Sequence, residues 1–569
     1  MKFKRKALSS VAAIITASAL VACGSNGDSV DSGGSQSDRQ QTTDREHGGA
    51  KEASRELTIA VDSGAINVES NNPWNASSGR SFGYTFVTME PLAILNPLEP
   101  GQLTPWLADA YEWNSDFTQL TVTIREGVLW SDGVEFTTDD VVFTFELIRD
   151  TEGIPSANRP VSIEAQGNQV IVTYDRSMII TPHGPLQTLM VPRHFVEGVE
   201  EPETATLLGM PGTGPYVKTQ FTPMAVTLEA RDDWWGGELA VDTLHFVSFN
   251  DNTSLATALI AGQVDWSQGN IPNVNAFLDA DPANVFWTPT ALDTDVLFIN
   301  HTRAPFDSLP FRRAVNLVVD RAAHAEIVLD GNAPVLTSVT GLTPGAGQEF
   351  ISPAFADMTF SVDLDQARHI LEEAGYTGVG DRLIDPQGNP VVLDVAMPAD
   401  WGDFVTAGSL VVNAISALGA DVSLNTMDGA AWWTARAEGD FVSVVSALAP
   451  EAVIGFTPFQ QTMCSQISAP LGENAQWNFG RFQSDQADQL ITTFLTTTVE
   501  AEREAALTAL QEIYVEQVPV IPLGVRPLRS AFHTRNFSGW PTDDNPYAPM
   551  QTLQSSVLLV LNNLTPVMD

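Results

Sequence analysis

Residues 105–143 read PWLADAYEWNSDFTQLTVTIREGVLWSDGVEFTTDDVVF, and this stretch decides the fold class. Leu120-Thr121-Val122-Thr123-Ile124 alternates apolar and polar side chains, the period of a half-buried strand. Thr137-Thr138-Asp139-Asp140 then precedes Val141 and Phe145. A hydroxyl that can cap a helix, followed by acids in the first turn, predicts a helix start. The same alternation extends in both directions. Leu57-Thr58-Ile59-Ala60-Val61 reads as the first strand. Asp363 to Gly375 reads as a helix, with Ala367, Ile370, Leu371 and Ala374 on one face and Gly375 ending it. Strands and helices in turn, without repeats or heptads, predict α/β lobes.

The front of the chain carries a different signal. Lys2, Lys4, Arg5 and Lys6 precede the apolar run Leu8–Leu20, which is too short to span a membrane well. Leu20-Val21-Ala22-Cys23-Gly24 resembles a bacterial lipobox. That resemblance implies a signal peptide over 1–22 and a diacylglyceryl group on Cys23, with the mature protein tethered to the outer face of the cytoplasmic membrane. Each buried methylene of such a lipid contributes about 0.8 kcal/mol, so more than one acyl chain gives a durable anchor. Residues 24 to 56 are rich in Ser, Gly, Asp and Gln and read as a flexible spacer.

Bulk composition narrows the function. The 569 residues, 43% hydrophobic and 17% charged, suit a globular chain of two or three domains. The net charge of −42 becomes −46 once the four cations of the leader are removed. Nucleic acid is excluded as a partner, because phosphate binding needs basic patches. The chain has two cysteines, Cys23 and Cys464. With Cys23 lipidated, Cys464 is left as a partly buried thiol without an intrachain disulfide. Eight scattered histidines show no metal-ligand spacing, so no metal and no cofactor are expected.

A run of segments, taken in order, resembles the extracellular solute-binding proteins of oligopeptide, dipeptide, nickel and oligosaccharide ABC importers. Pro105–Ala108, Trp113–Asp116, Thr123–Val128, Trp130–Gly133 and Phe136–Phe143 form its strongest part. Gly212-Thr213-Gly214-Pro215-Tyr216 is similar to the family's glycine turn, and Gly262–Asp265 to its Gly-x-x-Asp segment. Phe311–Val315 with Asp320-Arg321, the helix ending Ala374-Gly375-Tyr376, and Pro519–Pro522 continue the series. The resemblance implies a two-lobed periplasmic-binding-protein-like fold of class II, with an extra region on lobe I. Lobe I is expected over 57–295, lobe II over 296–518, and a return to lobe I over 519–569. It further implies a monomer that closes on its ligand and passes it to permease and ATPase subunits on separate chains. Ligand drives closure only through its differential affinity for the closed state.

The same resemblance nominates site residues. Peptide-binding members hold the peptide ammonium with an acid three residues after a Trp, shortly beyond a Phe-Asp strand. Here Leu448 stands at the Trp position and Glu451 at the acid, so the Trp is missing. Trp432 and Trp433 stand where the family has a pocket aromatic. Trp401-Gly402-Asp403 resembles a segment whose indole stacks on a sugar and whose acid accepts its hydroxyls. Oligopeptide is the expected cargo. Oligosaccharide is the alternative, favoured by Gly539-Trp540-Pro541, by Trp477-Asn478 and weakly by the thirteen tryptophans.

A lipid-anchored hydrolase is the remoter reading. Gly79-Arg80-Ser81-Phe82-Gly83 fits the Gly-x-Ser-x-Gly nucleophile pattern, which requires a strand before it and a helix after it. A turn-rich stretch precedes it instead. No catalytic residues are therefore assigned, and no phosphate-binding Gly-x4-Gly-Lys-Ser/Thr loop is present.

Overall fold

The computed structural model describes residues 55–567, apart from 75–76, 100–101, 155, 157–158, 290, 344–346 and 449–454. The leader, Cys23, most of the spacer and Glu451 lie outside the described residues.

The elements read from pattern form where periodicity places them. The strand Gln119–Ile124 buries Leu120, Val122 and Ile124 and turns its threonines outward. The helix Thr138–Asp150 starts in a capping box: Thr137 accepts from the backbone of the first turn, and Asp140 accepts from Thr137 N at 3.0 Å. Buried Asp140 also accepts from Trp130 Nε1 at 3.3 Å and from Arg193 N at 2.9 Å, so one acid ties three segments together. The helix Leu364–Glu373 is capped by Asp363, which accepts from Gln366 N at 2.8 Å; Ala367 and Leu371 are buried and Gly375 follows with φ +89°.

Twelve strands build two large sheets. They are β1 (Glu56–Val61), β2 (Tyr216–Thr222), β3 (Ala225–Ala230), β4 (Thr243–Ser248), β5 (Trp266–Ser267), β6 (Asn284–Trp287), β7 (Ala291–Ile299), β8 (Val392–Pro398), β9 (Asp421–Met427), β10 (Ser443–Ala447), β11 (Ile521–Pro527) and β12 (Ser530–His533). The first sheet runs β6-β12-β5-β1-β4-β3-β2, with β1 parallel to β4 and β5. The second runs β9-β8-β10-β7-β11, with β8 parallel to β9 and β10. Each sheet packs against its own core. Leu57, Ile59, Phe246, Trp266 and Phe532 belong to the first core; Val296, Phe298, Val395, Val444 and Leu523 belong to the second. The molecule is thus a two-lobed α/β protein.

The chain passes between the sheets twice, between β6 and β7 and again at 528–529 after β11. Ala291 of β7 pairs with Pro527 of β11, so the crossings lie side by side as a hinge. β11 belongs to the second sheet, and the chain re-enters the first at β12 rather than at residue 519. Proline suits these strand ends because it lacks the N–H that would extend the ladder.

A further four-stranded sheet, Ala108–Trp113, Gln119–Ile124, Gln169–Thr173 and Ser162–Gln166, forms the extra region of the first lobe. Just beyond it, Ile180 is buried against the second core, a contact between lobes. Cys464 is buried in the second core. Among the described residues no helix is long and apolar enough to cross a membrane.

Candidate functional site

In open α/β sheets a ligand sits beyond the carboxyl ends of parallel strands. In the second lobe those ends are Pro398, Met427 and Ala447, and they release Trp401-Gly402-Asp403, the helix Gly429–Glu438 and the segment that contains Glu451. β11 runs antiparallel to β7, as β10 does, so Pro527 reaches the same edge. In the first lobe β1 ends at Val61 and delivers Asp62, while β5 ends at Ser267 beside the start of β12. Both carboxyl edges therefore border the crossings.

The aromatic residues read from sequence come together. Trp401 lies 5.3 Å from Trp432 and 6.3 Å from Trp433, centroid to centroid, and Trp432 lies 4.7 Å from Trp433. Their exposures differ: Trp432 is buried, Trp401 is half-buried, and Trp433 is 49% exposed. Trp433 is thus the indole with a free face. Leu448, at the position of the missing Trp, is buried in the second core.

Arg436, which pattern reading missed, holds this cluster. Its guanidinium stacks 4.2 Å from the Trp433 ring, 4.8 Å from Trp432 and 4.4 Å from Phe479. It donates to Ser446 Oγ at 2.9 Å, and its Nε has no acceptor among the described residues. Burial lowers its pKa to about 10. A buried arginine without a described carboxylate beside it is a conspicuous feature in a chain with 70 acidic and 28 basic residues.

Asp403 sits in a network of charge at the hinge. Its Oδ2 accepts from Arg529 Nη2 at 3.2 Å and Arg526 Nη2 at 3.4 Å, and its Oδ1 from Phe404 N at 3.0 Å. Arg526 Nε also donates to Asp295 Oδ1 at 2.7 Å, whose other oxygen lies 3.1 Å from His324 Nε2. Gly524 makes room for that histidine: a Cβ there would lie 2.1 Å from His324 Cδ2. Burial alone would raise the Asp295 carboxyl, but Arg526 and His324 outweigh it and hold it well below the usual range. Asp293, directly opposite Arg526 in the ladder, is instead pushed up to about 7 by burial. Arg526, Arg529 and Asp295 were not among the residues picked from sequence. Their partners lie 123 to 231 residues away, so no local spacing announces them.

The hydrolase pattern lacks its required setting. Gly79–Phe82 lie in the one-turn helix Ser78–Phe82, capped by Ser77 and ended by Gly83, and the strand before it ends at Val61. Among the described residues no group of three or more His, Cys, Asp or Glu side chains could hold a metal ion.

A separate pocket of about 260 Å³ lies wholly in the first lobe, lined by Glu69, Asn71, Tyr84, Thr85 and Lys218 among others. Lys218 Nζ donates to Glu69 Oε1 at 2.5 Å and to Asn71 Oδ1 at 2.7 Å.

Two lobes around a hinge, with aromatic and charged groups at the strand ends that border it, define a ligand-binding protein. A sequence model of the bacterial extracellular solute-binding proteins, family 5, matches residues 102–463, and the chain belongs to that family. It is the substrate-binding receptor of an ABC importer, an extracytoplasmic transport component rather than an enzyme. The nickel-binding periplasmic protein of Escherichia coli is 23% identical over 455 residues, covering 77% of this chain and 84% of that protein. The periplasmic oligopeptide-binding protein of an oligopeptide ABC transporter from Thermotoga maritima, solved with mannohexaose bound, has a TM-score of 0.79 at 22% identity, covering 90% of this chain and 98% of that one. The oligopeptide-binding protein of Bacillus subtilis, solved with a nonapeptide, has a TM-score of 0.73 at 18% identity, covering 90% and 99%.

Proposed function

We propose that this receptor is lipid-anchored through Cys23 and captures an extracellular oligopeptide between its lobes for delivery to a membrane permease. We divide the lobes at the two crossings, between β6 and β7 and at 528–529, with residues 23–56 as the tether. The observation that carries the peptide reading is Arg436, stacked under Trp433 with no described acid beside it. A peptide brings a carboxylate for such a guanidinium and apolar side chains for the indole faces. Glu451, on the segment leaving β10, supplies the anion for the peptide ammonium. Trp401 and Trp433 line the path, and Asp403 acts through the arginines it holds.

An oligosaccharide is the second reading. The half-exposed indole of Trp433 beside Trp401 suits a sugar face, and a relative of the same fold has been solved with mannohexaose. A thermal-shift screen of the chain from Gly24 onward separates the two, since a ligand that binds only the native state raises Tm. Peptides of two to ten residues are expected to raise it. Glu451→Gln should then weaken peptide binding by more than tenfold, because a buried charged hydrogen bond contributes about 1.5–3 kcal/mol. Unchanged peptide affinity in that variant removes Glu451 from the site. A shift with oligosaccharides alone replaces the peptide reading with the second one.

A further inference from the structure

Another pocket of the first lobe, about 300 Å³, is formed by the segment 73–86, the helix Thr138–Asp150 and the stretch 174–189. Its walls are aromatic: Trp74, Phe86, Phe145 and Tyr174 line it, with Leu189 beside them. Small-molecule pockets span about 300–1,000 Å³, so this one suits a single ring with a short chain better than a long oligomer.

Arg80 lines the same pocket, and water reaches its side chain. Its Nη2 donates to Pro73 O at 3.1 Å, and no described carboxylate forms an ion pair with it. Residues 75–76, 155 and 157–158 flank the lining residues in the chain but lie outside the described set, and they include no acid. Most of this guanidinium's N–H groups are therefore unused, in a chain with 70 acidic and 28 basic residues. A second observation does not depend on charge. Tyr174 is 4% exposed, and its hydroxyl has no hydrogen-bond partner among the described residues. Buried hydroxyls are ordinarily paired, because leaving one unpaired costs free energy.

Arg80 and Tyr174 thus bring free N–H and O–H donors to one aromatic-walled space. A planar guanidinium matches a carboxylate with two parallel hydrogen bonds. One guanidinium offsets one charge, which suits a carboxylate better than a phosphate dianion. Aromatic walls accept a ring by stacking or edge contact. The field of so acidic a chain repels anions, so a site for one must supply its own cation. Arg80 is that cation.

We propose that this pocket binds an aromatic carboxylate, its ring among Trp74, Phe86 and Phe145 and its anionic end on Arg80 and the Tyr174 hydroxyl. The carboxylate has two sources, a free aromatic acid or the terminus of a peptide that ends in an aromatic residue. The site requires neither Arg436 nor Glu451, so it stands or falls apart from the peptide reading above.

The test is isothermal titration of wild type, Arg80→Gln and Tyr174→Phe with 3-phenylpropionate and indole-3-acetate, against the neutral amides of both acids. Wild type is expected to bind the acids more tightly than the amides by about tenfold or more, the range of a charged hydrogen bond. That preference should vanish in Arg80→Gln. Tyr174→Phe should weaken the acids several-fold without lowering Tm, since its hydroxyl has no described partner to lose. Acids bound no better than amides, a preference that persists in Arg80→Gln, or no binding of either overturns the proposal. A tetrapeptide ending in phenylalanine and its C-terminal amide separate the two sources. A peptide acid that displaces 3-phenylpropionate and weakens in Arg80→Gln supports the site as a holder of the cargo terminus. One that binds without displacing it supports the site as a holder of free acid. If peptides bind and the aromatic acids do not, this site falls and the peptide receptor stands; if the acids bind and no peptide does, the reverse holds.

Discussion

Glu90 is closed off from solvent, and no described cation forms an ion pair with it. It is fully buried in the first lobe and accepts from Trp106 Nε1 at 2.7 Å, Trp234 Nε1 at 3.2 Å and Trp235 Nε1 at 3.1 Å. Burial raises its pKa and the indole donors oppose the rise, leaving it at about 7 against an ordinary 4.5. Between pH 4.5 and 7 the unfolded chain has released this proton and the folded chain still holds it. This carboxyl therefore makes stability fall as pH rises through that window, with no effect below it and the full cost above it. The difference is on the order of 3 kcal/mol. Glu90→Gln should remove that pH dependence, so the variant loses more Tm relative to wild type at pH 5 than at pH 8. Equal losses at both pH values would refute the assignment. Three tryptophans that composition alone offers to a sugar are thus engaged by one acid. The pairs are 16, 144 and 145 residues apart, which is why the sequence conceals them. Trp401, Trp432 and Trp433 were nominated by the family resemblance, and the fold sets them beyond the ends of β8 and β9.

At the scale of elements, β7 and β11 carry the hinge, and Arg526 is the side chain that binds the second sheet to the crossing. Replacing it with Met leaves Asp295 and Asp403 buried without their shared cation. The expected loss is about 3–5 kcal/mol, the usual cost of breaking one side of a buried pair. Urea unfolding measures it, and a loss below 1 kcal/mol would mean that water already screens these charges. Elements such as Gln119–Ile124, Thr138–Asp150 and Leu364–Glu373 were legible because periodicity and capping are local. Which sheet a strand joins is not local. The resemblance implies a return strand at Pro519–Pro522, but only pairing with β7 assigns β11, Ile521–Pro527, to the second sheet. The same limit hid Ile180, which is buried against the second core with its partly buried neighbour Ile179 beside it.

For the whole molecule, two main cores, one pair of crossings and a second interlobe contact at Ile180 describe two lobes joined in more than one place. The protein's place of work depends on residues ahead of those lobes. Cys23→Ala, with the leader otherwise intact, is expected to move the protein from the membrane fraction to the soluble extracytoplasmic fraction. Retention at the membrane would rule out the lipid anchor. The charge of the chain has a further side. Its 28 cations include five lysines, and beyond Lys51 there is one, Lys218. That ammonium is 14% exposed and already held by Glu69 and Asn71. Reagents that acylate amines will find little else on the two lobes. Coupling to a sensor chip by such chemistry will capture the protein mainly by the segment ahead of residue 52 and leave the cleft unmodified. Fluorescent amine dyes will leave the lobes dark for the same reason.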